Sequence, residues 1–251
     1  MTTMKINGRL VKARKGEYLL SVCRRMGIDI PALCHHEAVE PSGACRLCVV
    51  EITKPRWDGW SKLVTSCLYP VEEGLEVRTD SPRVRKMRKE VLELLLARSP
   101  DAKPVVELAR EYGILEPRYT LAEVSDNCIL CGICTRVCQD LVTGAISRVN
   151  RGIDKKVDTP FAEVSEDCIG CLACARSCPT DAIEFKEDGL ERTIWNKTFD
   201  LVPCTECGAP TVTREQADWI SKKEGLSRED LFVCDKCKAK RTARAYEKLA
   251  W

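Results

Sequence analysis

The pattern of apolar and polar positions near the amino terminus predicts a small sheet with one packed helix. The stretch MKINGRLV places Asn7 and Gly8 between two short apolar segments, which is typical of a two-residue β-hairpin. Apolar residues then recur at helical spacing in GEYLLSVCRRMG, and Gly27 is expected to follow the end of that helix. The later segments CVVEIT and LEVRT have the composition of strands. These elements together predict a β-grasp domain over residues 1–80.

A helical periodicity begins at Ser81 and predicts a connector between the first module and the next. Pro82 suits the first position of a helix. The apolar stripe expected to face the core consists of Val84, Met87, Val91, Leu94 and Leu95. PVVELAREYG predicts a second helix that Gly113 closes. The five basic residues in the run 83–89 are expected to form a solvated face, with docking to an acidic partner as the alternative. Residues 81–124 are thus predicted to be a helical connector.

Cysteine changes this picture more than any other residue type, because the 251-residue chain contains 17 of them. The first residues carry charges from Lys5 onward and lack the apolar segment of a secretory signal, so we expect a cytoplasmic, reducing location. Clustered C-x-x-C thiols in such a compartment favour metal ligands over disulfides. The longest apolar runs are too short to span a bilayer. The net charge of +2 argues against nucleic-acid binding.

Two matched motifs, NCILCGICTRVC and DCIGCLACARSC, follow the spacing C-x2-C-x2-C-x3-C that is typical of two-cluster bacterial ferredoxins. In that arrangement three close sulfurs hold one [4Fe-4S] cube, and the fourth thiol of each motif crosses to the other cube. One cube is therefore assigned to Cys128, Cys131, Cys134 and Cys178. The other cube is assigned to Cys168, Cys171, Cys174 and Cys138. The predicted ferredoxin-like domain covers residues 125–190, and structural zinc is the weaker alternative for these thiols.

Further features of this repeat have expected roles. Gly132 and Gly170 lie inside the ligand loops, where backbone without a Cβ can approach an inorganic sulfur of the cluster and donate N–H groups to it. GAIS at 144–147 and DAIEF at 181–185 follow the two motifs at equivalent places and predict a pair of short strands. A proline, Pro179, follows only the second motif.

Four amino-terminal cysteines have the spacing C-x10-C-x2-C-x18-C, a widened form of the plant-type [2Fe-2S] pattern on a β-grasp sheet. The predicted ligands are Cys34, Cys45, Cys48 and Cys67, with zinc as the alternative metal. Small residues in GACRLC predict a turn whose amides point at the cluster. The remaining cysteine, Cys23, falls on the apolar face of the first helix and is expected to act as a small buried hydrophobe.

The carboxy-terminal pairs CTEC and CDKC match a zinc ribbon with the ligands Cys204, Cys207, Cys234 and Cys237. A rubredoxin-like single iron is the alternative, because it uses the same four-sulfur geometry. The predicted module covers residues 191–251 and ends in a basic helix. Ala243, Tyr246 and Leu249 follow one another at three-residue intervals on that helix. We expect this stripe to pack on its own domain, with insertion into a partner as the alternative.

The segments IDIPALCHHEAVEPSGACRLCVVEI and YPVEEGLEVRTD, with the helix after Ser81, resemble the amino-terminal part of the large iron–sulfur subunit of respiratory complex I. They also resemble the small diaphorase subunit of NAD-reducing hydrogenases and the electron-transfer subunit of NADH-dependent electron-bifurcating hydrogenases. The resemblance covers residues 1 to about 187. Those relatives often carry a further cluster with one histidine and three cysteine ligands, but this sequence has no cysteine or histidine from residue 68 to 127.

The resemblance implies an electron-transfer subunit of a cytosolic oxidoreductase. Its one [2Fe-2S] and two [4Fe-4S] clusters would relay electrons between a flavin- and NAD-binding subunit and a second catalytic subunit. A hydrogenase, including the electron-bifurcating type, is favoured over formate dehydrogenase. No G-x-G-x-x-G, P-loop or nucleophile–base motif is present, so no catalytic residue is assigned. A freestanding ferredoxin-like carrier and a zinc-dependent nucleic-acid module are the alternatives from other classes.

Overall fold

The computed structural model describes residues 1–123 and 125–247, and these form two compact units of mixed helix and sheet. The first unit consists of Met1–Ile133 and Ser177–Ala182, and the second consists of Cys134–Arg176 and the chain from Ile183 onward. The α+β class predicted from the sequence is confirmed. Among the described residues, no helix has the length and apolar character that a membrane crossing requires. The finer division into four modules stays a prediction.

The first unit contains five strands and three complete helices. In chain order they are β1 (Thr2–Ile6), β2 (Arg9–Ala13), α1 (Leu19–Arg25), β3 (Val49–Thr53), β4 (Ser61–Thr65), β5 (Glu76–Arg78), α2 (Pro82–Arg98) and α3 (Lys103–Glu111). A single 3-10 turn, Pro55–Trp57, joins β3 to β4.

The five strands form one sheet in the order β2-β1-β5-β3-β4, with β1 and β5 parallel and the other pairs antiparallel. The predicted hairpin turn is present, since Asn7 and Gly8 have φ angles of 48° and 80°. Helix α1 covers one face of this β-grasp sheet, and its apolar residues share a core with those of β1, β3 and β5. Cys23 lies fully buried in that core, as expected, and burial raises the pKa of its thiol to about 11.

Helix α2 begins as predicted but buries a different face. The Ser81 hydroxyl accepts a hydrogen bond from the backbone N–H of Val84 at 3.3 Å, which caps the helix. The predicted core positions Met87 and Leu94 are instead 39% and 54% exposed. The buried positions recur mainly at every fourth residue, namely Val84, Arg88, Leu92 and Leu96, together with Glu93. The basic run is therefore not uniformly solvated, because a guanidinium occupies one of the core-facing positions.

The second unit contains most of α4 and all later elements except the short segment 177–182. In chain order they are α4 (Ile133–Leu141), β6 (Ser147–Val149), β7 (Lys156–Asp158), α5 (Ala173–Arg176), β8 (Phe185–Asp188), β9 (Glu191–Ile194), β10 (Lys197–Pro203), β11 (Pro210–Thr213), α6 (Arg214–Glu224), α7 (Arg228–Leu231) and α8 (Asp235–Glu247).

Two antiparallel sheets organise this unit: a β6–β7 hairpin and a four-stranded sheet in the order β11-β10-β9-β8. The predicted positions of the two strands after the cysteine motifs were wrong. Only Ser147 of the first segment, GAIS, and Phe185 of the second segment, DAIEF, lie in strands. In the first segment Ala145 and Ile146 are instead buried among the thiols of the second unit. Packing against these thiols replaces strand pairing there.

The terminal helix α8 is more exposed than predicted. Its first turn carries Cys237, which is buried with Cys204 and Val233. Ala243 and Tyr246, expected to pack on their own domain, are exposed to solvent. The third member of that stripe, Leu249, lies outside the described residues. The expected packing is therefore wrong for the two positions that the structure describes.

Candidate metal centres

The amino-terminal cysteines Cys34, Cys45, Cys48 and Cys67 are all buried in the first unit. The thiol of Cys45, together with the backbone amides of Cys45 and Ala44, lowers the pKa of Cys34 to about 5. The Cys67 thiol likewise lowers the pKa of Cys48 to about 6, and the Ser66 hydroxyl adds to this effect. The charge of Cys34 acts to raise the pKa of both Cys48 and Cys67. Two thiol pairs thus converge, and the amides predicted in GACRLC point at one of them.

Two features fix the loop that carries these thiols. Gly43 has a φ angle of 64°, a left-handed conformation that glycine adopts without strain, so the predicted small-residue turn follows from its backbone. The carbonyl oxygen of Cys48 accepts hydrogen bonds from the hydroxyl and the backbone N–H of Ser66, at 2.7 and 3.0 Å. These two features hold the loop in place in the fold.

Three thiols of the repeated motif, Cys128, Cys131 and Cys178, lie in the first unit with this site. Burial is the main cause that raises the pKa of Cys131 to about 11. The charges of the nearby Cys178, Cys128 and Cys34 sulfurs contribute to this increase. The backbone N–H of Ala182 donates to the Cys178 sulfur at 3.3 Å. The fourth thiol of the predicted cube, Cys134, begins the second unit, so the complete ligand set stays a prediction.

The other predicted set comes together within the second unit. Cys138, Cys168, Cys171 and Cys174 line one common cavity. Its remaining walls are mostly apolar and include Val142, Ala145, Ile146 and Ile194. Four sulfurs around a space without strong competing ligands fit the donor chemistry of an iron–sulfur cube. The crossing of Cys138 to the later motif is thus present in the geometry, and its role as a ligand stays a prediction.

Backbone conformation repeats between the two motif loops. Each loop has left-handed residues two and four positions after its first cysteine: Leu130 and Gly132 in one, Gly170 and Leu172 in the other. The turn therefore accepts leucine at either position. At Gly170 the reason for glycine is contact, because a Cβ would lie 2.7 Å from Cδ2 of Phe199. Burial raises the pKa of the Cys168 thiol, and a hydrogen bond from the backbone N–H of Gly170 lowers it.

Sequence reasoning missed the side chains that hold the second loop. The Nζ atom of Lys197 donates to the carbonyl oxygens of Ser165, Glu166 and Cys168, at 3.2, 3.2 and 2.8 Å. Arg192 donates from Nη1 to the carbonyl oxygen of Gly170 at 2.7 Å. The Thr213 hydroxyl also takes part, donating to the Ile169 carbonyl at 2.6 Å. No motif spacing signals these donors, since they lie 22 to 44 residues after their acceptors.

Trp195 also escaped the sequence analysis. It lines the same cavity, and its buried indole N–H lies close enough to the Cys174 sulfur to lower the pKa of that thiol, although it falls short of a full hydrogen bond. Burial is the larger effect and raises the pKa of Cys174 to about 12. A buried donor that faces four thiols fits an anionic group bound among them.

The carboxy-terminal thiols of Cys204, Cys207, Cys234 and Cys237 form the tightest group, with all four sulfurs within 4.8 Å of one another. The backbone N–H of Cys234 donates to the Cys204 sulfur at 3.3 Å and is the main cause that lowers the pKa of Cys204 to about 6. Four convergent sulfurs fit a structural zinc, and a rubredoxin-like iron would use the same set.

Two family models match the chain. Residues 1–82 match a 2Fe-2S iron–sulfur cluster binding domain, and residues 167–212 match a 4Fe-4S dicluster domain. The chain carries two kinds of iron–sulfur domain. The first covers all four amino-terminal thiols, and the second begins at the later cysteine motif, so the earlier motif lies outside the matched residues.

Known relatives of this iron–sulfur chain agree with the resemblance found in the sequence. The chain is 30% identical over 184 residues to the NADH-ubiquinone oxidoreductase 75 kDa subunit of Reclinomonas americana, covering 63% of this chain and 26% of that protein. It is 34% identical over 190 residues to the NADP-reducing hydrogenase subunit HndD of Solidesulfovibrio fructosivorans, covering 64% of this chain and 32% of that protein. The chain thus spans about a third or less of these relatives.

A solved structure shows the same fold over part of the chain. A chain in the crystal structure of an NAD+-reducing [NiFe]-hydrogenase in the H2-reduced state aligns with a TM-score of 0.56. It is 24% identical and covers 63% of this chain and 74% of that one.

Proposed function

We propose that this chain is the electron-transfer subunit of an NAD(P)H-linked oxidoreductase complex. One observation supports the proposal: the four buried amino-terminal thiols share the first compact unit with Cys128, Cys131 and Cys178 of the repeated motif. Two sulfur sites within one unit suit successive steps of one electron path.

The proposed cofactors are one [2Fe-2S] cluster, two [4Fe-4S] clusters and one zinc ion. The [2Fe-2S] ligands are Cys34, Cys45, Cys48 and Cys67. The first cube takes Cys128, Cys131, Cys134 and Cys178. The second cube takes Cys168, Cys171, Cys174 and Cys138. The zinc ligands are Cys204, Cys207, Cys234 and Cys237.

When bound, such clusters supply reversible one-electron exchange over a wide range of potentials. The protein contributes the surroundings. It buries nine of the twelve proposed cluster thiols, aims backbone N–H groups at sulfurs, and holds the loop carbonyls with side chains such as those of Lys197 and Arg192. Fixed hydrogen bonds and burial are the means by which proteins set cluster potentials.

The proposed partners are a flavin- and NAD-binding subunit and a second catalytic subunit, in the cytoplasm. The names of the hydrogenase relative and of the structural neighbour support a hydrogenase as the second partner. Electron bifurcation is part of this proposal. An NAD-dependent formate dehydrogenase is the second choice.

Reconstitution tests this function. The purified chain alone is expected neither to oxidise NADH nor to evolve hydrogen. With the flavin-bearing partner it should become reducible by NADH, and a Cys45→Ser variant should interrupt that transfer. NADH oxidation by the isolated, flavin-free chain would contradict the proposal. Purification of the native chain without any stable partner would favour the freestanding carrier instead.

A further inference from the structure

Arg88 is a buried cation in the first unit. It lies in α2 with only 3% of its surface exposed. Its guanidinium makes four hydrogen bonds: Nε donates to the Leu47 carbonyl at 3.1 Å, and Nη2 donates to the Val49 and Thr79 carbonyls at 2.8 and 3.0 Å. The fourth runs from Nη1 to the Tyr112 hydroxyl at 3.0 Å. All four acceptors are neutral groups.

Other arginines of the same helix behave in the ordinary way. Arg83 pairs with Glu51 and Arg85 pairs with Asp80, and both guanidiniums are more than half exposed. A guanidinium stays protonated in proteins, so burial of Arg88 places a permanent positive charge in a region of low dielectric. Neutral carbonyls satisfy its N–H groups without neutralising that charge. A buried charge of this kind is costly unless an opposite charge lies near it.

The acceptors place the guanidinium beside a proposed ligand of the amino-terminal cluster. Leu47 and Val49 are the neighbours of Cys48 on either side, so the guanidinium holds the backbone directly around one thiol of the amino-terminal set. The fork of the guanidinium fixes the direction of both carbonyls at once. Thiolates that bind a [2Fe-2S] cluster carry net negative charge, which increases by one unit on reduction.

We propose that Arg88 is a positioning residue whose fixed charge raises the reduction potential of the amino-terminal cluster. The inference rests on the proposed ligand set of that cluster. A nearby positive charge stabilises the more negative, reduced state more than the oxidised state, so it favours electron uptake. Helix α2 is then part of the redox site rather than only a connector.

Redox titration of the full chain tests this, with the [2Fe-2S] electron paramagnetic resonance (EPR) signal as the readout. The Arg88→Gln variant is expected to shift the reduction equilibrium at least tenfold toward the oxidised state, which for one electron is about 59 mV. Arg88→Lys retains the charge but not the fork, so its potential should stay near that of the wild type while its EPR line shape changes. Arg85 is exposed on the same helix, so Arg85→Gln is the matched control. It should change neither the reduction potential nor the EPR line shape.

The possible outcomes separate this inference from the proposed function. Absence of any [2Fe-2S] signal in the wild-type chain would refute the ligand assignment itself. A normal signal in Arg88→Gln with an unshifted potential would overturn the role of Arg88 alone. If Arg88→Gln does not fold, Arg88→Lys decides: a changed EPR line shape at a wild-type potential supports the inference, and either a wild-type line shape or a tenfold shift of the potential contradicts it.

Discussion

The Nζ atom of Lys197 donates a hydrogen bond to the carbonyl oxygen of Cys168 at 2.8 Å. The donor lies at the start of β10, beyond the second cysteine motif, and the acceptor belongs to the first thiol of that motif. The ammonium also lies 4.9 Å from the ring centre of Phe199. The strands after the ferredoxin motif thus hold the loop that carries the thiols of the second cube.

We expect Lys197→Met to weaken that loop. Loss of hydrogen bonds from a charged donor should lower the unfolding free energy of the second unit by about 1.5–3 kcal/mol. The measurement is denaturant unfolding of the cluster-loaded chain. Lys186→Met on β8 is the control, because Lys186 is exposed and its ion pair with Asp188 is solvated. Equal effects of the two substitutions would contradict the holding role of Lys197.

Gly170→Ala should be more disruptive than its chemistry suggests. The new methyl group would meet the ring of Phe199 and would also sit in a left-handed backbone, with expected costs of about 1–3 kcal/mol and about 1–2 kcal/mol. Gly189→Ala is matched for backbone strain, since Gly189 has a φ angle of 59° and open space at its Cβ position. Only Gly170→Ala should lose cluster absorbance, and Phe199→Leu in the same chain should restore part of it. A loss of equal size in Gly189→Ala would show that the contact with Phe199 is unimportant.

Local sequence signals predicted much of the fold. Asn7 and Gly8 specify their hairpin because the turn depends on their own backbone angles, and Ser81 caps α2 through its own side chain. The spacing of the cysteine motifs is equally local, so the thiol groups could be assigned before the structure was known. Such signals are carried by a few adjacent residues.

Signals that depend on distant partners could not be found in this way. The sequence predicts Arg88 as one member of a solvated basic run, yet three of its four acceptors are carbonyls, one of them 41 residues away in the chain. The strand expected at GAIS failed because burial of Ala145 and Ile146 among the thiols competes with strand pairing, and at DAIEF Ile183 packs against the same cluster. Backbone carbonyls have no residue-type signature, so the side chains that hold them escape pattern analysis.

Cys138→Ser tests the crossing of the ligands between the two cubes. Because Cys138 shares one cavity with Cys168, Cys171 and Cys174, the substitution should damage the cube of that later motif. Spectroscopy that resolves the two cubanes is the measurement, and Cys23→Ala is the control that should keep every cluster. Selective loss of the cube that contains Cys128 and Cys131 would refute the crossing.

Removal of the carboxy-terminal metal should affect that site alone. Structural zinc of this type has an apparent binding free energy of about 10–16 kcal/mol, so Cys207→Ser should release the zinc and unfold the local structure around Cys204 and Cys237. Iron content should stay unchanged. Zinc analysis and limited proteolysis of the variant and the wild type check this. If the substitution removes iron and no zinc, the site is of the rubredoxin type.

The most direct test of the electron-relay account is the metal content of the anaerobically purified chain, measured together with acid-labile sulfide. The ligand sets predict about ten irons and about one zinc per chain, with two irons from the amino-terminal site and eight from the two cubes. Iron near four equivalents, or zinc at three or more, would contradict the cluster assignment and with it the proposed path of electrons.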